Sequence, residues 1–383
     1  MRVTSVREMT LPLSRYGDVP ASSGGLTTSV VAVVTDVMRG GRPVVGYGYG
    51  SVGRYAQGGL IRERFAPRLL AMPDLRAEDG GLDPFRAWDA MMAGEKTGGH
   101  GERCVAVGTL DMALWDAAAK IAQEPLHRLL SRRLGRDGSA TVAVYAGGGY
   151  PYSHDDLCRL RDEIRRFRDA GFLRAKIKLG GVGGMAGDLR RVEVASGEMG
   201  GAGLLAVDAM NAFGPETAEA AAQALAPLGL WWFEDICDPL DFDTHRRAIT
   251  AYGGAVAAGE ALFHVTEARL LAEHGGLRSD RDVLVFDPVH CYGFPGYLRI
   301  VADLTARGWP RRAFWPHGGH RFAVHVASAL GLGGVEVTPE AFAPFRGLGG
   351  CEMVEGAVVV PETDGIGFEA DKAIRSLLSD LSA

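Results

Sequence analysis

From about residue 140 the chain repeats one unit eight times, a short apolar run followed by a helix-like stretch. The runs are Thr141–Tyr145, Ala175–Leu179, Leu204–Val207, Trp231–Phe233, Val256–Ala258, Val283–Phe286, Arg312–Trp315 and Gly334–Val337. A helix between successive strands makes parallel pairing the natural outcome, and strands covered on both faces read as unbroken apolar runs. The repeat therefore predicts an α/β chain whose residues 126–355 form a (β/α)8-type barrel. Residues 1–125 differ. Val3–Leu13, Thr28–Val37 and Val44–Tyr49 read as strands, the last two joined by a Gly-Gly-Arg-Pro turn. Helical patterning follows and ends with 105–130, where Leu110, Leu114, Ala117, Ala118 and Ile121 share a face. A small α+β domain is expected there. Two of its loops, Ser14–Leu26 and Gly50–Gly59, are of the kind that often lies over a binding site.

Polar residues close the barrel's apolar runs at a regular interval. Lys178 is followed by Asp208, Glu234, Glu260, Asp287, His317 and Glu336, at steps of 30, 26, 26, 27, 30 and 19 residues. Most of these steps equal one βα unit, so the side chains are expected to converge at the strands' C-terminal rim, where barrels build chemistry. One carboxylate after one strand is ordinarily a helix N-cap. Three in succession, Asp208, Glu234 and Glu260, would repel one another unless a cation lay among them. Oxygen ligands that leave room for water and substrate are the set Mg²⁺ prefers.

Composition adds a second marker. The chain has 41 basic residues but only five lysines, and two of these are Lys176 and Lys178. A lysine kept against such an arginine bias points to something guanidinium cannot do, such as release a proton. Residues i and i+2 of a strand share a face, so both ammonium groups are expected in one pocket, each disfavouring the other's charge. The plain alternative is a solvated strand edge. The net charge of −6 gives no general attraction to nucleic acid or to an anionic membrane. Five scattered cysteines without a CxxC pair suggest free thiols. The first residues lack the apolar core of a signal peptide, and no run is long enough to span a bilayer. A cytoplasmic protein is expected.

Several segments carry a resemblance to a known family. They are 27–37, Gly-Arg-Tyr-Ala-Gln-Gly-Gly-Leu-Ile-Arg-Glu-Arg-Phe (53–65), Glu-Lys-Thr-Gly-Gly-His-Gly-Glu-Arg (95–103), Lys-Ile-Lys-Leu-Gly-Gly (176–181), Asp-Pro-Leu-Asp (238–241), Pro-His-Gly-Gly-His (316–320) and Gly-Leu-Gly-Gly (331–334). Over essentially its whole length the chain resembles the enolase superfamily, in its mandelate racemase-like branch, and most nearly the D-tartrate dehydratase family. The resemblance implies a modified barrel under an N-terminal α+β capping domain that is completed by about 356–383. It also implies one Mg²⁺, held by Asp208, Glu234 and Glu260.

By the same resemblance Lys178 is the base that removes the proton α to a substrate carboxylate. Lys176 would help bind that carboxylate and keep Lys178 deprotonatable. His317, oriented by Asp287, would be the acid on the opposite side, and Lys96 and Glu336 would contact substrate. Mg²⁺ would stabilise the enediolate formed as the proton leaves. The implied activity is a hydro-lyase acting on a small 2,3-dihydroxy acid such as tartrate, by loss of water to a 2-keto acid. A racemase or epimerase of a related acid, and a non-catalytic binding barrel, are the alternatives. A homo-oligomer is also implied. The sequence departs from that relative at Met210, where an Asn is expected, and at His290, which adds an imidazole near the rim. The roles of His100 and His320 stay open, as does a zinc reading of His317 with His320, which lacks a third ligand.

Overall fold

Three antiparallel strands open the chain, β1 (Val3–Pro12), β2 (Thr27–Arg39) and β3 (Arg42–Tyr49), in the order β1-β2-β3. The computed structural model describes residues 1–13, 27–52, 54–342, 345 and 347–382, so the loop Ser14–Leu26 lies outside the described residues. β2 is buried on both faces from Thr28 to Thr35, because the helix Glu102–Ala122 covers one side of the sheet. That helix is apolar nearly all round, as expected of one enclosed by its neighbours. The stretch read as one helix over 105–130 is two. Gln123 adopts φ 58°, and Pro125, which has no N–H to continue the helix, starts the next one at Leu126–Leu134.

The second sheet is the barrel. β4 (Thr141–Gly148), β5 (Ala175–Lys178), β6 (Leu205–Asp208), β7 (Phe233–Glu234), β8 (Val256–Ala258) and β9 (Val283–Leu284) pair in sequence, all parallel, and β10 (Val335–Val337) returns to pair with β4. The expected strand at 312–315 is mostly a 3-10 turn, Arg311–Ala313, with a single bridge from Phe314 to Leu284. Pro310 and Pro316 flank it and cannot donate to a ladder. The ring still closes there: Trp315 N donates to Leu284 O (2.8 Å), and Pro316 O accepts from Glu336 N (3.1 Å).

A hairpin, β11 (Met353–Val354) with β12 (Ala357–Val359), adds antiparallel to the first residues of β4, Thr141–Ala143. After it the helix Lys372–Ser382 returns to the first sheet, and its Ile374, Leu378 and Leu381 join the core built by Val30–Val33 and the helix Glu102–Ala122. That core continues into the barrel through Leu284, Phe286 and Val289. The five cysteines are unpaired, and no helix among the described residues is long and apolar enough to cross a membrane.

Candidate active site

Strand alternation builds the site from the inside outward. Tyr145, Ala206, Trp232, Ala257, Val283 and Val285 form a small cluster inside the barrel. Two residues further along β6 and β7, the same faces carry Asp208 and Glu234, so the apolar cluster floors a charged layer. Lys178 pairs in register with Asp208, and Asp208 with Glu234, which places the three side by side. Lys176 lies one step deeper, opposite Gly147. A Cβ at Gly147 would stand 2.2 Å from Glu336 Oε1, so the glycine leaves the space that Glu336 needs to reach Lys176.

The ammonium groups face carboxylates rather than each other. Lys176 is fully buried and donates to Glu234, with Glu336 Oε1 at 3.2 Å and Asp208 Oδ2 at 3.5 Å. Lys178 donates to Asp208. Burial alone would lower the Lys178 pKa and Lys176 lowers it further, yet Asp208, with Tyr150 and Glu260 adding to it, reverses this and holds it well above the ordinary lysine range. The expected mutual repulsion is thus present, but it is the smaller effect while the carboxylates have only the lysines to neutralise them. Burial also pushes Glu234 up, to about 7, despite Lys176, because Asp208 and Glu260 add like charge. Asp208, burial notwithstanding, is held at about 2 by Lys178 and Lys176.

Asp208, Glu234 and Glu260 each offer an oxygen within 4.8 Å of the others. Glu260 Oε2 is buried without a hydrogen bond, and His317 Nε2 lies 3.3 Å from it. Three hard oxygen donors from three successive strands, one of them unsatisfied, fit a Mg²⁺-type cation. Trp232 Nε1 holds the far oxygen of Glu234 (2.7 Å), and Met210 N that of Asp208 (2.7 Å).

Across the mouth from the lysines, Asp287 organises three histidines. Its oxygens accept from Ser51 Oγ (2.6 Å) and Val289 N (2.7 Å), and they lie 3.2 Å from both His317 Nδ1 and His320 Nε2. Burial opposes its charge, but His290, His320 and His317 together hold it well below the carboxylate range. Burial likewise disfavours a charged His317; Glu260 and Asp287 reverse this and raise it to about 9. Gly318, at φ +100°, lets the chain turn here, since a Cβ would strike Asp287 Oδ2 and Ser51 Oγ at 2.4 Å. His320 accepts from Ala323 N through its other nitrogen (3.1 Å), so both nitrogens are used inside the protein and the zinc reading with His317 falls. Asp287, His290 and His317 also meet within ligand distance, although both Asp287 oxygens are already engaged.

The remaining expected residues separate. Glu336 bridges Lys176 and Gly318 N (3.3 Å) and lies 3.8 Å from His317 Nε2. Lys96 is exposed, and its ammonium makes no hydrogen bond or ion pair with a described residue. Its loop is pinned by Glu95, which pairs with Arg64 (2.6 Å) and Arg68 (2.9 Å), while Arg103 holds the Lys96 carbonyl (3.0 Å). His100 stacks on His264 and contacts Tyr292 Oη. Met210 turns its side chain outward, 38% exposed, so only its backbone serves Asp208. Sequence reasoning missed Ser51, Trp232 and Asp235. Trp232 was legible as the i−2 partner of Glu234. Asp235 is buried with Oδ2 unpaired, and burial raises its pKa well above the usual value.

Residues 159–374 match the enolase C-terminal domain-like family, more than half of the chain. The chain belongs to the enolase superfamily. Among curated superfamily relatives it is 26% identical over 309 residues to arabinonate dehydratase of Saccharolobus solfataricus, covering 78% of this chain and 79% of that one. It is 27% identical over 287 residues to L-talarate/galactarate dehydratase of Salmonella typhimurium, covering 74% and 68%. Among solved structures, a racemase from Streptomyces coelicolor with bound magnesium superposes at TM-score 0.75, with 22% identity and coverage of 95% and 96%. An L-talarate dehydratase from Polaromonas, complexed with Mg and L-glucarate, superposes at TM-score 0.71, with 24% identity and coverage of 96% and 94%. These superfamily likenesses bear out the capped barrel.

Proposed function

We propose that this protein is a Mg²⁺-dependent hydro-lyase that dehydrates a 2,3-dihydroxy acid, tartrate or another acid sugar, to a 2-keto acid. One observation carries the reading: Lys178 and His317 stand at the two ends of a single carboxylate triad. Lys178 is bonded to Asp208, and His317 Nε2 is 3.3 Å from Glu260. A substrate carboxylate drawn to the triad would have an amine on one side and an imidazole on the other. The dehydratase relatives favour elimination over racemisation.

Asp208, Glu234 and Glu260 would hold the cation, which supplies positive charge beside the substrate carboxylate as the α-proton leaves. With Asp208's charge so committed and Lys176 beside it, Lys178 gives up its own proton more readily and its Nζ can accept the substrate's. His317, kept protonated and aimed by Asp287, delivers a proton from Nε2 to the β-hydroxyl. The Cα–H electron pair becomes the new C–C π bond, the β C–O bond breaks, and water leaves. The resulting enol tautomerises to the keto acid. Lys96, from the capping domain, contacts the substrate in this reading.

The test is a panel of aldaric and aldonic acids with Mg²⁺ in deuterium oxide. Keto-acid formation is expected on at least one acid, and Lys178→Arg should lower it by about 10²–10⁴-fold, the usual contribution of a positioned base. Exchange at Cα without a keto product would mean epimerisation. No exchange on any acid, or full activity in the arginine variant, would overturn the assignment.

A further inference from the structure

Two side chains on the His317 side of the site make no hydrogen bond with a described residue. His290 is 2% exposed, and neither ring nitrogen has a hydrogen bond. Its Nε2 is 3.7 Å from Asp287 Oδ2, too long to count, and the ring sits 5.6 Å from that of His317. A buried imidazole left unpaired is costly, so this ring is shaped for a group the protein does not supply. The second is Arg54, in the glycine-rich loop of the capping domain. Its guanidinium lies over the Phe263 ring, 4.7 Å from the centroid, and it forms no hydrogen bond or ion pair with a described residue. The same Phe263 ring meets His290 edge-on at 5.6 Å. Phe263 thus places a guanidinium from the cap and an imidazole from the barrel around one ring, on the His317 side of the mouth. Stacking fixes the guanidinium plane and leaves its fork of N–H donors open.

The neighbouring negative charges do not fill this role. Asp287 is engaged by Ser51, Val289 N, His317 and His320, and Glu260 belongs to the cation triad. An open guanidinium fork and a buried imidazole with free nitrogens, both packed on Phe263, suit a carboxylate. We propose that Arg54 and His290 form a subsite for a second, distal carboxylate, making the protein selective for diacids over the matching monoacids. The inference rests on the dehydratase reading for the first carboxylate, which goes to the triad.

The test compares kcat/KM for pairs that differ only in the oxidation of the terminal carbon, galactarate with galactonate and xylarate with xylonate, in the Mg²⁺-loaded protein. A diacid preference of roughly 10–100-fold is expected from a charge-assisted contact. In Arg54→Gln that ratio should collapse at least tenfold, mainly through KM, and Arg54→Lys should restore part of it. His290→Gln should reduce the ratio without moving the acid dependence of kcat. Equal activity on both acids in the unmodified protein, or equal losses on both in Arg54→Gln, would overturn the subsite. A collapse in Lys96→Gln but not in Arg54→Gln would overturn it too, by giving the distal anion to Lys96. If no acid is turned over, the dehydratase reading fails by itself, and the subsite is judged by calorimetry. Succinate binding more tightly than butyrate, with the difference lost in Arg54→Gln, supports it; equal binding refutes it.

Discussion

Replacing Lys176 with methionine tests the charge balance on which the site rests. Lys176 is fully buried and faces Glu234, Glu336 at 3.2 Å and Asp208 at 3.5 Å. With an effective dielectric near 20, one unit pair at 3.2 Å is worth about 5 kcal/mol before desolvation is counted. Removing one partner of a buried pair typically costs about 3–5 kcal/mol, because the other charge is left uncompensated. Lys176→Met should therefore lose about 3–5 kcal/mol in urea unfolding with a chelator present. Excess Mg²⁺ should recover part of this loss, since a ligand at about 100 times its Kd adds about 2.7 kcal/mol. The pH dependence has a definite sign. Burial already raises Glu234 to about 7, and removing Lys176 raises it further. A carboxyl whose folded pKa is raised contributes stability that is present below its unfolded value and lost as pH rises through the folded one. The variant should accordingly regain stability as pH falls from about 8 toward 5. An equal loss with and without metal, or a loss that grows on acidification through that range, would refute the reasoning.

Two further outcomes follow from other residues. Asp287→Asn should lower the His317 pKa from about 9 by a unit or so, each unit being about 1.4 kcal/mol. A raised His contributes stability below its unfolded pKa that is lost as pH climbs through the folded one, so the variant should lose stability chiefly below pH 9; an unmoved imidazole titration by NMR would contradict this. Met210→Asn should stabilise by about 0.5–1 kcal/mol, because Met210 holds φ 49° and Asn tolerates that region better; an unchanged or lower denaturation midpoint would count against it.

Much of the fold was legible because the barrel's regularity is written in sequence order. Each strand, helix and rim residue recurs at one βα interval, and parallel pairing follows from the connections. Arg312–Trp315 misled because an apolar run does not reveal whether prolines on either side allow a ladder. The convergence of the three carboxylates was legible by spacing. The role of His320 was not, since one of its nitrogens is taken by the Asp287 carboxylate, 33 residues away in sequence. Ser51 comes from the capping domain, and nothing local ties it to Asp287.

The sequence by itself determined the barrel, the strand-end series and the lysine pair, because period-two alternation and βα spacing are local properties. Tertiary structure alone decided what each charge faces. It set Lys176 and Lys178 against carboxylates more strongly than against each other, gathered three histidines on Asp287, and left Arg54 and His290 open. Those outcomes depend on distances of a few ångströms across a barrel mouth, where electrostatic energy changes steeply with separation and burial, and no one-dimensional spacing encodes them.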